Sequence, residues 1–332
     1  MAYLTGLNYY WRDESFLEYD MSTKHFQRAI DLDPSFVLAY AKLAAGHSWI
    51  YHYHYDRSPE RLEKAKDALE KGYMLDPENM DIKLSEGAYY YVQQDYKTAE
   101  SYLDRFISMD NDFGDYYTNK IFLYLLWDEG IERSRQALSE MMSYPNYMEY
   151  EFLAYHKVAL ELIEEDYDEA IATMQFEEDI IMEGQFRYYP KVLKLAEIYK
   201  MQGKPELATP HFDSARIVLE ERVATDPSDS RYRSALGIAY AGMGRREDAI
   251  REGELAMEMM PLEKDFYIAI FRMDDLAHIY TMTGESELAI KVLNDMLSIP
   301  GNVSVNLLKK DPTWKPLWNL PEFQAMLKKH VN

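Results

Sequence analysis

The chain has 332 residues, of which 47% are hydrophobic and 28% charged, so it carries enough apolar surface for a continuous core and is not a disordered polymer. Its net charge of −22 disfavours phosphate backbones and anionic lipid surfaces as partners, and the absence of cysteine excludes disulfides and thiolate chemistry. The longest apolar run, Ile121–Trp127, falls far short of the roughly 20 residues that a bilayer span needs, so no membrane partner is expected.

Taken in chain order, the sequence opens on Met-Ala-Tyr-Leu-Thr-Gly, with neither the basic nor the apolar region of a signal peptide. A cytoplasmic location follows as the default, and the abrupt entry into a helical pattern predicts a further domain upstream. Proline and its stand-ins then recur at a constant interval. Pro77 to Asn111, Asn111 to Pro145 and Pro227 to Pro261 are each separated by 34 residues, whereas Pro34 to Pro77 spans 43, a repeat plus a nine-residue insertion.

Within the repeats, small and large residues occupy fixed places. The unit ending at Pro261 has Leu236, Gly237, Tyr240, Ala249 and Ala256, departing only at Arg233 and Gly253, and the unit ending at Asn111 has Gly87, Tyr90, Ala99, Leu103 and Phe106. Two antiparallel helices approach closely only where side chains are short, so Gly87, Gly237 and Ala277 are expected to face Ala99, Ala249 and Ala289. A connecting turn recurs as Gly203–Ala208, Gly244–Ala249 and Gly284–Ala289, with glycine five residues before alanine to end the first helix.

This period and pattern are those of tetratricopeptide repeats. The expected fold is all-α, a right-handed α-α superhelix of about eight helix-turn-helix units near 2–36, 37–79, 80–113, 114–147, 148–187, 188–229, 230–265 and 266–302, with a C-terminal cap at 303–332. The fifth unit matches worst: it carries Tyr167, Ala170 and Met174, closes on Met182 rather than proline, and is followed by a first helix only near Pro190. An irregularity is expected there. In the closing segment, Trp314, Leu317, Trp318, Phe323 and Leu327 are placed to cover the apolar face that a last repeat exposes, although tryptophans in such a place can also hold a ligand.

Three segments carry a closer resemblance. Tyr3–Trp11, His25–Ala44 and Asp311–Leu327 resemble the corresponding parts of the long tetratricopeptide regions that follow a cyclase, a Ser/Thr kinase or a winged-helix domain in bacterial signalling proteins, and the insertion from Trp49 to Leu62 falls where those regions carry one. The resemblance implies a regulatory or sensor region that binds a protein or peptide. The carboxylate clamp of some tetratricopeptide proteins is absent, since Ala41, Ala45, Asp81 and Ser85 stand where its lysines and asparagines would be.

In such folds the first helices line the concave surface. The outward positions expected to bind a partner are Tyr10, Trp49, Tyr91, Asn119, Phe122, Phe152, Tyr155, Lys194, Arg231 and His278, together with Glu197 and Asp274; the competing reading packs several of them between units. Between Glu140 and Glu183, thirteen acidic residues stand against one cation, Lys157, a balance of −12. This segment either steers a basic partner or forms a solvated face. The insertion sets His52, His54 and Asp56 together with His47 upstream, which permits a metal-sensing alternative; an aromatic flap folded over the first units is the competing reading. No cofactor, phosphate loop or nucleophile motif is present, so an enzyme is not expected.

Overall fold

A computed structural model describes residues 1–10, 16–108, 114–127, 130–144, 153–175, 180–183, 186–299 and 303–330. These residues form helices in antiparallel pairs and divide into two compact units, 1–123 and 124–332.

The first unit holds α1 (Ala2–Tyr10), α2 (Phe16–Leu32), α3 (Val37–His52), α4 (Pro59–Leu75), α5 (Met80–Val92), α6 (Tyr96–Ile107) and most of α7 (Gly114–Leu126). α3 packs on α2, α4 and α5, so each second helix lies against its own first helix and the first helix of the next pair. Phe26, Ala39, Ala44 and Ile82 are fully buried between them. The nine surplus residues of the second repeat are absorbed largely by longer helices: α3 and α4 span 16 and 17 residues where α5 and α6 span 13 and 12. The connection between α3 and α4, Tyr53–Ser58, is also longer than the turn Gln93–Asp95 that joins α5 to α6. Tyr53 there is buried and its ring lies 5.5 Å from Tyr19 on α2, so the aromatic insertion folds back on the first pair.

The second unit holds α8 (Gly130–Met142), α9 (Leu153–Ile163), α10 (Tyr167–Gln175), strands β1 (Ile180–Glu183) and β2 (Tyr188–Pro190), then α11 (Lys191–Met201), α12 (Pro205–Thr225), α13 (Ser230–Gly242), α14 (Arg246–Met259), α15 (Phe266–Thr283) and α16 (Ser286–Leu297). α17 (Val305–Lys310), a short 3-10 turn over Pro312–Trp314 and α18 (Pro321–Lys329) follow. The repeat topology is explicit here. α11 and α15 both pack on α13, while α12 and α14 each bridge to the next first helix.

One backbone feature sets the register of the pairs. Gly203, Gly244 and Gly284 adopt φ of 71°, 76° and 82°, and the amide of the residue after each glycine closes the end: Lys204, Arg245 and Glu285 donate to the carbonyls of Tyr199, Tyr240 and Tyr280 at 2.9, 2.9 and 2.8 Å. That is the Schellman ending of a helix. Gln94 and Glu165 hold the same left-handed turn at φ 64° and 56°, again five residues before a buried alanine, Ala99 and Ala170. The glycine pattern therefore marks three of the five turns of this kind among the described residues.

The close helix approaches are as expected at Gly237, where an added Cβ would lie 3.0 Å from the carbonyl oxygen of Ala249 and 2.6 Å from Ile279 Cδ1. Gly87 differs: it accommodates the side chain of Tyr102, whose Cβ would be 2.9 Å from an added methyl, and not Ala99. Met182, expected to close the fifth repeat, lies in β1 and pairs with Tyr189 across an antiparallel ladder that also joins Ile180 to Pro190 and Glu183 to Tyr188. This ladder is the only strand pairing among the described residues. The closing segment caps α15 and α16, with Trp314, Leu317, Phe323 and Leu327 all buried in one apolar cluster with Leu276, Tyr280 and Leu293.

Candidate functional site

Three successive first helices of the second unit, α11, α13 and α15, bring charged side chains to one place, where β2, the residues just before it and the capping segment join them. On α11, Lys194 and Glu197 are one turn apart, and Lys194 Nζ sits 2.9 Å from Glu197 Oε2. His278 on α15 places Nδ1 at 3.5 Å from Glu197 Oε1. Glu197 is only 2% exposed, and its carboxylate is held by the Lys194 and His278 charges with the Tyr189 phenol beside it. Burial works against its ionisation, yet Lys194 and His278 outweigh it and keep its pKa below the ordinary carboxylate value. Burial pushes His278 down, and Glu197 offsets only part of that. Tyr189 on β2 faces the same carboxylate; burial, and then the Glu197 charge, raise its phenol well above the ordinary range.

The second half of the cluster centres on two aspartates of α15. Arg187, just before β2, ion-pairs with Asp274 through Nη2 and places Nε 3.4 Å from Asp275 Oδ1. Burial opposes the Arg187 charge, but Asp275 and Asp274 dominate and hold it firmly protonated. Arg272, whose side chain is wholly inaccessible, donates Nη2 to the carbonyl oxygen of Phe186 and lies 3.3 Å from Asp275 Oδ2. Its Nε and Nη1 have no hydrogen-bond partner among the described groups. On α13, Arg231 is clasped by Asp229, the N-cap of its own helix, and both charges bear on Arg272. From the capping segment, Asp311 accepts from the Thr313 amide at 2.9 Å; burial raises its pKa, with Asp274 adding to the effect. Trp314 sets its ring 6.3 Å from His278.

Lys194 and His278 thus meet at Glu197, while Arg231 on the intervening first helix pairs with Asp229 and Asp274 pairs with Arg187. Tyr155 on α9 is near enough for its phenol to bear on Arg187. Phe152 lies outside the described residues.

In the first unit, Tyr10 packs inward, its ring 5.7 Å from Tyr19 and 6.2 Å from Phe26. Trp49 and Tyr91 lie together, 6.3 Å between ring centroids, with Tyr53 and His52 against Trp49 at 5.8 and 5.5 Å. Asn119 on α7 is exposed and Phe122 half-buried.

The metal-sensing alternative meets a physical obstacle. His47 Nδ1 lies 3.1 Å from Arg61 Nη1, and His54 Nε2 lies 3.4 Å from Arg57 Nη1, so each ring faces a guanidinium where a metal cation would sit. His52 is buried against Tyr53 and Tyr91. No three histidines or carboxylates converge as a metal site among the described residues. The acidic segment is also less open than its charge implies. Glu164 pairs with Arg135, Glu165 with Lys315, and Glu161 and Glu169 with Lys157, so cations of the same unit occupy much of its described part.

Phe186, Arg187, Tyr189, Arg272, Asp275 and Asp311 were not among the outward positions read from the sequence. A signal existed in Ile180-Ile-Met-Glu-Gly-Gln-Phe-Arg-Tyr-Tyr-Pro190, two short β-prone stretches around a glycine, which is the composition of a hairpin.

Helix pairs with small residues at their crossings, a shared left-handed turn and second helices that bridge to the next pair define the architecture. The chain has a tetratricopeptide-type fold. No protein-family model matches it, and no curated protein does. Among solved structures it is similar to a tetratricopeptide repeat protein from Parabacteroides merdae at 15% identity and a TM-score of 0.48, over 77% of this chain and 93% of that one. It is also similar to the Cut9–Hcn1 hetero-tetramer of the APC/C at 16% identity and a TM-score of 0.43, over 95% of this chain and 53% of that one, so it spans about half of that protein. The TPR2AB domain of yeast Sti1, solved as a pHSP90 complex, gives 15% identity and a TM-score of 0.26 over 100% of this chain and 97% of that one.

Proposed function

We propose that this chain is a protein-interaction scaffold, not an enzyme, and that the first helices of its second unit receive an extended segment of a partner protein. The observation that supports this reading is the row of polar and charged side chains on α11, α13 and α15: Lys194 and Glu197, Arg231, and Asp274, with the His278 imidazole beside Glu197. Charges of both signs, spaced along adjacent helices, match the alternating donors, acceptors and side-chain charges of a polypeptide better than those of a uniformly anionic polymer. The net charge of −22 points the same way, against nucleic acid.

We further place the chain as the interaction or sensor region of a bacterial signalling or regulatory protein acting in the cytoplasm. The support is the resemblance of Tyr3–Trp11, His25–Ala44 and Asp311–Leu327 to such regions, together with the absence of cysteine. Site-specific photo-crosslinking tests the binding face. With the crosslinker at Lys194 or His278, on first helices of the second unit, a discrete protein adduct is expected in the cells of origin; with it at Glu247, on α14, none is expected. Adducts from Glu247 alone, or from no position, would overturn the reading.

A further inference from the structure

α15 already packs against a short segment supplied by the chain itself, Phe186-Arg187, which leads into β2. The ring of Phe186 stacks on Phe271 at 4.9 Å with an interplanar angle of 20°, and meets Tyr267 edge-on at 5.2 Å. The carbonyl oxygen of Phe186 accepts from Arg272 Nη2. The next side chain, Arg187, pairs with Asp274 and Asp275 while its guanidinium lies 5.5 Å from the Phe271 ring centroid. An aromatic slot, a donor to the main chain and a double carboxylate for a cation thus line up along one helix, and each reads a local feature of the dipeptide.

Phe186-Arg187 is held there by that slot and by its attachment to β2. The ladder behind it has three residue pairs with an irregularity between Ile180 and Met182, and two-stranded ladders of that size are marginal alone. The firm anchor is β2, where Tyr188 is 2% exposed and packs edge-on against Tyr232 at 4.8 Å. Phe186 and Arg187 lie beyond that anchor and outside the buried apolar cluster that contains it. Arg272 also keeps two donor nitrogens unpartnered although its side chain is wholly inaccessible, more hydrogen-bonding capacity than the dipeptide uses.

We propose that Tyr267, Phe271, Arg272, Asp274 and Asp275 form a recognition subsite for an extended partner segment in which an aromatic residue is followed by a basic one, and that Phe186-Arg187 occupies it as an internal surrogate. This rests on the scaffold reading and names its partner chemistry. A tethered segment acts at an effective concentration of the order of millimolar, so a partner must outcompete it.

The test uses the whole chain and a fluorescein-labelled peptide, Met-Glu-Gly-Gln-Phe-Arg-Tyr-Tyr-Pro, the sequence of residues 182–190. Anisotropy should give a Kd at least tenfold lower for the Phe186→Ala/Arg187→Ala variant than for the parent chain. That gain should vanish when Asp274→Asn and Asp275→Asn are added, or when alanine replaces Phe and Arg in the peptide. Arg187→Ala alone, which keeps the aromatic contact, should give an intermediate gain. Equal affinity for parent and variants, or unfolding of both tip variants by circular dichroism, would identify Phe186-Arg187 as a structural strap and overturn the proposal. The crosslinks at Lys194 and His278 would still report on the scaffold reading by themselves.

Discussion

Arg187 and Asp275 meet at 3.4 Å between Nε and Oδ1, joining the segment that interrupts the repeat pattern to the first helix of the last full pair. Through this contact and those of Arg272, the irregular fifth repeat becomes part of the surface that α11, α13 and α15 present.

The glycines divide by mechanism, and substitution should separate them. Gly284→Ala meets no atom within 4 Å but keeps φ at 82°, so it should lower stability by about 1–2 kcal/mol through left-handed strain. Gly237→Ala keeps an ordinary backbone but drives a methyl against Ile279 and the Ala249 carbonyl, an overpacking penalty of about 1–3 kcal/mol. Ile279→Val, which removes the Cδ1 contact but not the one to the Ala249 carbonyl, should partly suppress Gly237→Ala and give no such relief to Gly284→Ala in thermal melts.

Neighbouring pairs are tied by a repeated tyrosine–glutamate bond. Tyr240 Oη donates to Glu220 Oε1 at 2.8 Å and Tyr280 Oη to Glu254 Oε1 at 2.9 Å, each reaching the second helix of the preceding pair. Tyr240→Phe should remove about 1.5 kcal/mol, at the lower end for a bond to a charged group because Glu220 retains Arg216. The Tyr240→Phe/Tyr280→Phe double variant should show the sum of the two losses by denaturant titration.

Acid should weaken the first unit through its buried imidazoles. Burial, followed by Arg61 and Lys64, lowers His47 to about 3; burial, followed by His54 and Arg57, lowers His52 to about 3. Between pH 6.5 and about 3 the unfolded chain binds protons that the folded one refuses, so stability falls as pH falls, by up to about 1.4 kcal/mol per pH unit for each ring. His52→Gln should flatten the pH dependence of the melting temperature across that window. An unchanged slope would contradict the assignment.

The capping segment should be indispensable to the last pair. Phe323 is fully buried against the cluster of Leu276, Tyr280 and Leu293, so Phe323→Ala should cost about 3–5 kcal/mol. Faster amide exchange in α16 and α18, with α3 and α4 unaffected, is the expected signature.

Spacing alone carries much of this fold. The 34-residue interval, the alanines at the crossings and the glycines at 203, 244 and 284 correspond to close helix approaches and left-handed turns. Gln94 and Glu165 were invisible because a residue with a Cβ rarely adopts that turn, and the neighbouring fold imposes it. For the candidate site, the helix period put Lys194, Arg231 and His278 on successive first helices, while their partners and their depth depend on contacts between helices. Tyr10 was not, because a turn of about 100° per residue swings a side chain from surface to core. Arg272 was beyond any local pattern: an arginine with a wholly inaccessible side chain makes sense only beside Asp275 and the carbonyl of Phe186, 86 residues away.

Hydrogen–deuterium exchange of the Phe186→Ala/Arg187→Ala variant, with and without the 182–190 peptide, tests most directly whether the first-helix face carries recognition. Protection confined to α11, α13 and α15 is the predicted result; protection on α12, α14 and α16, with those first helices unchanged, would contradict it.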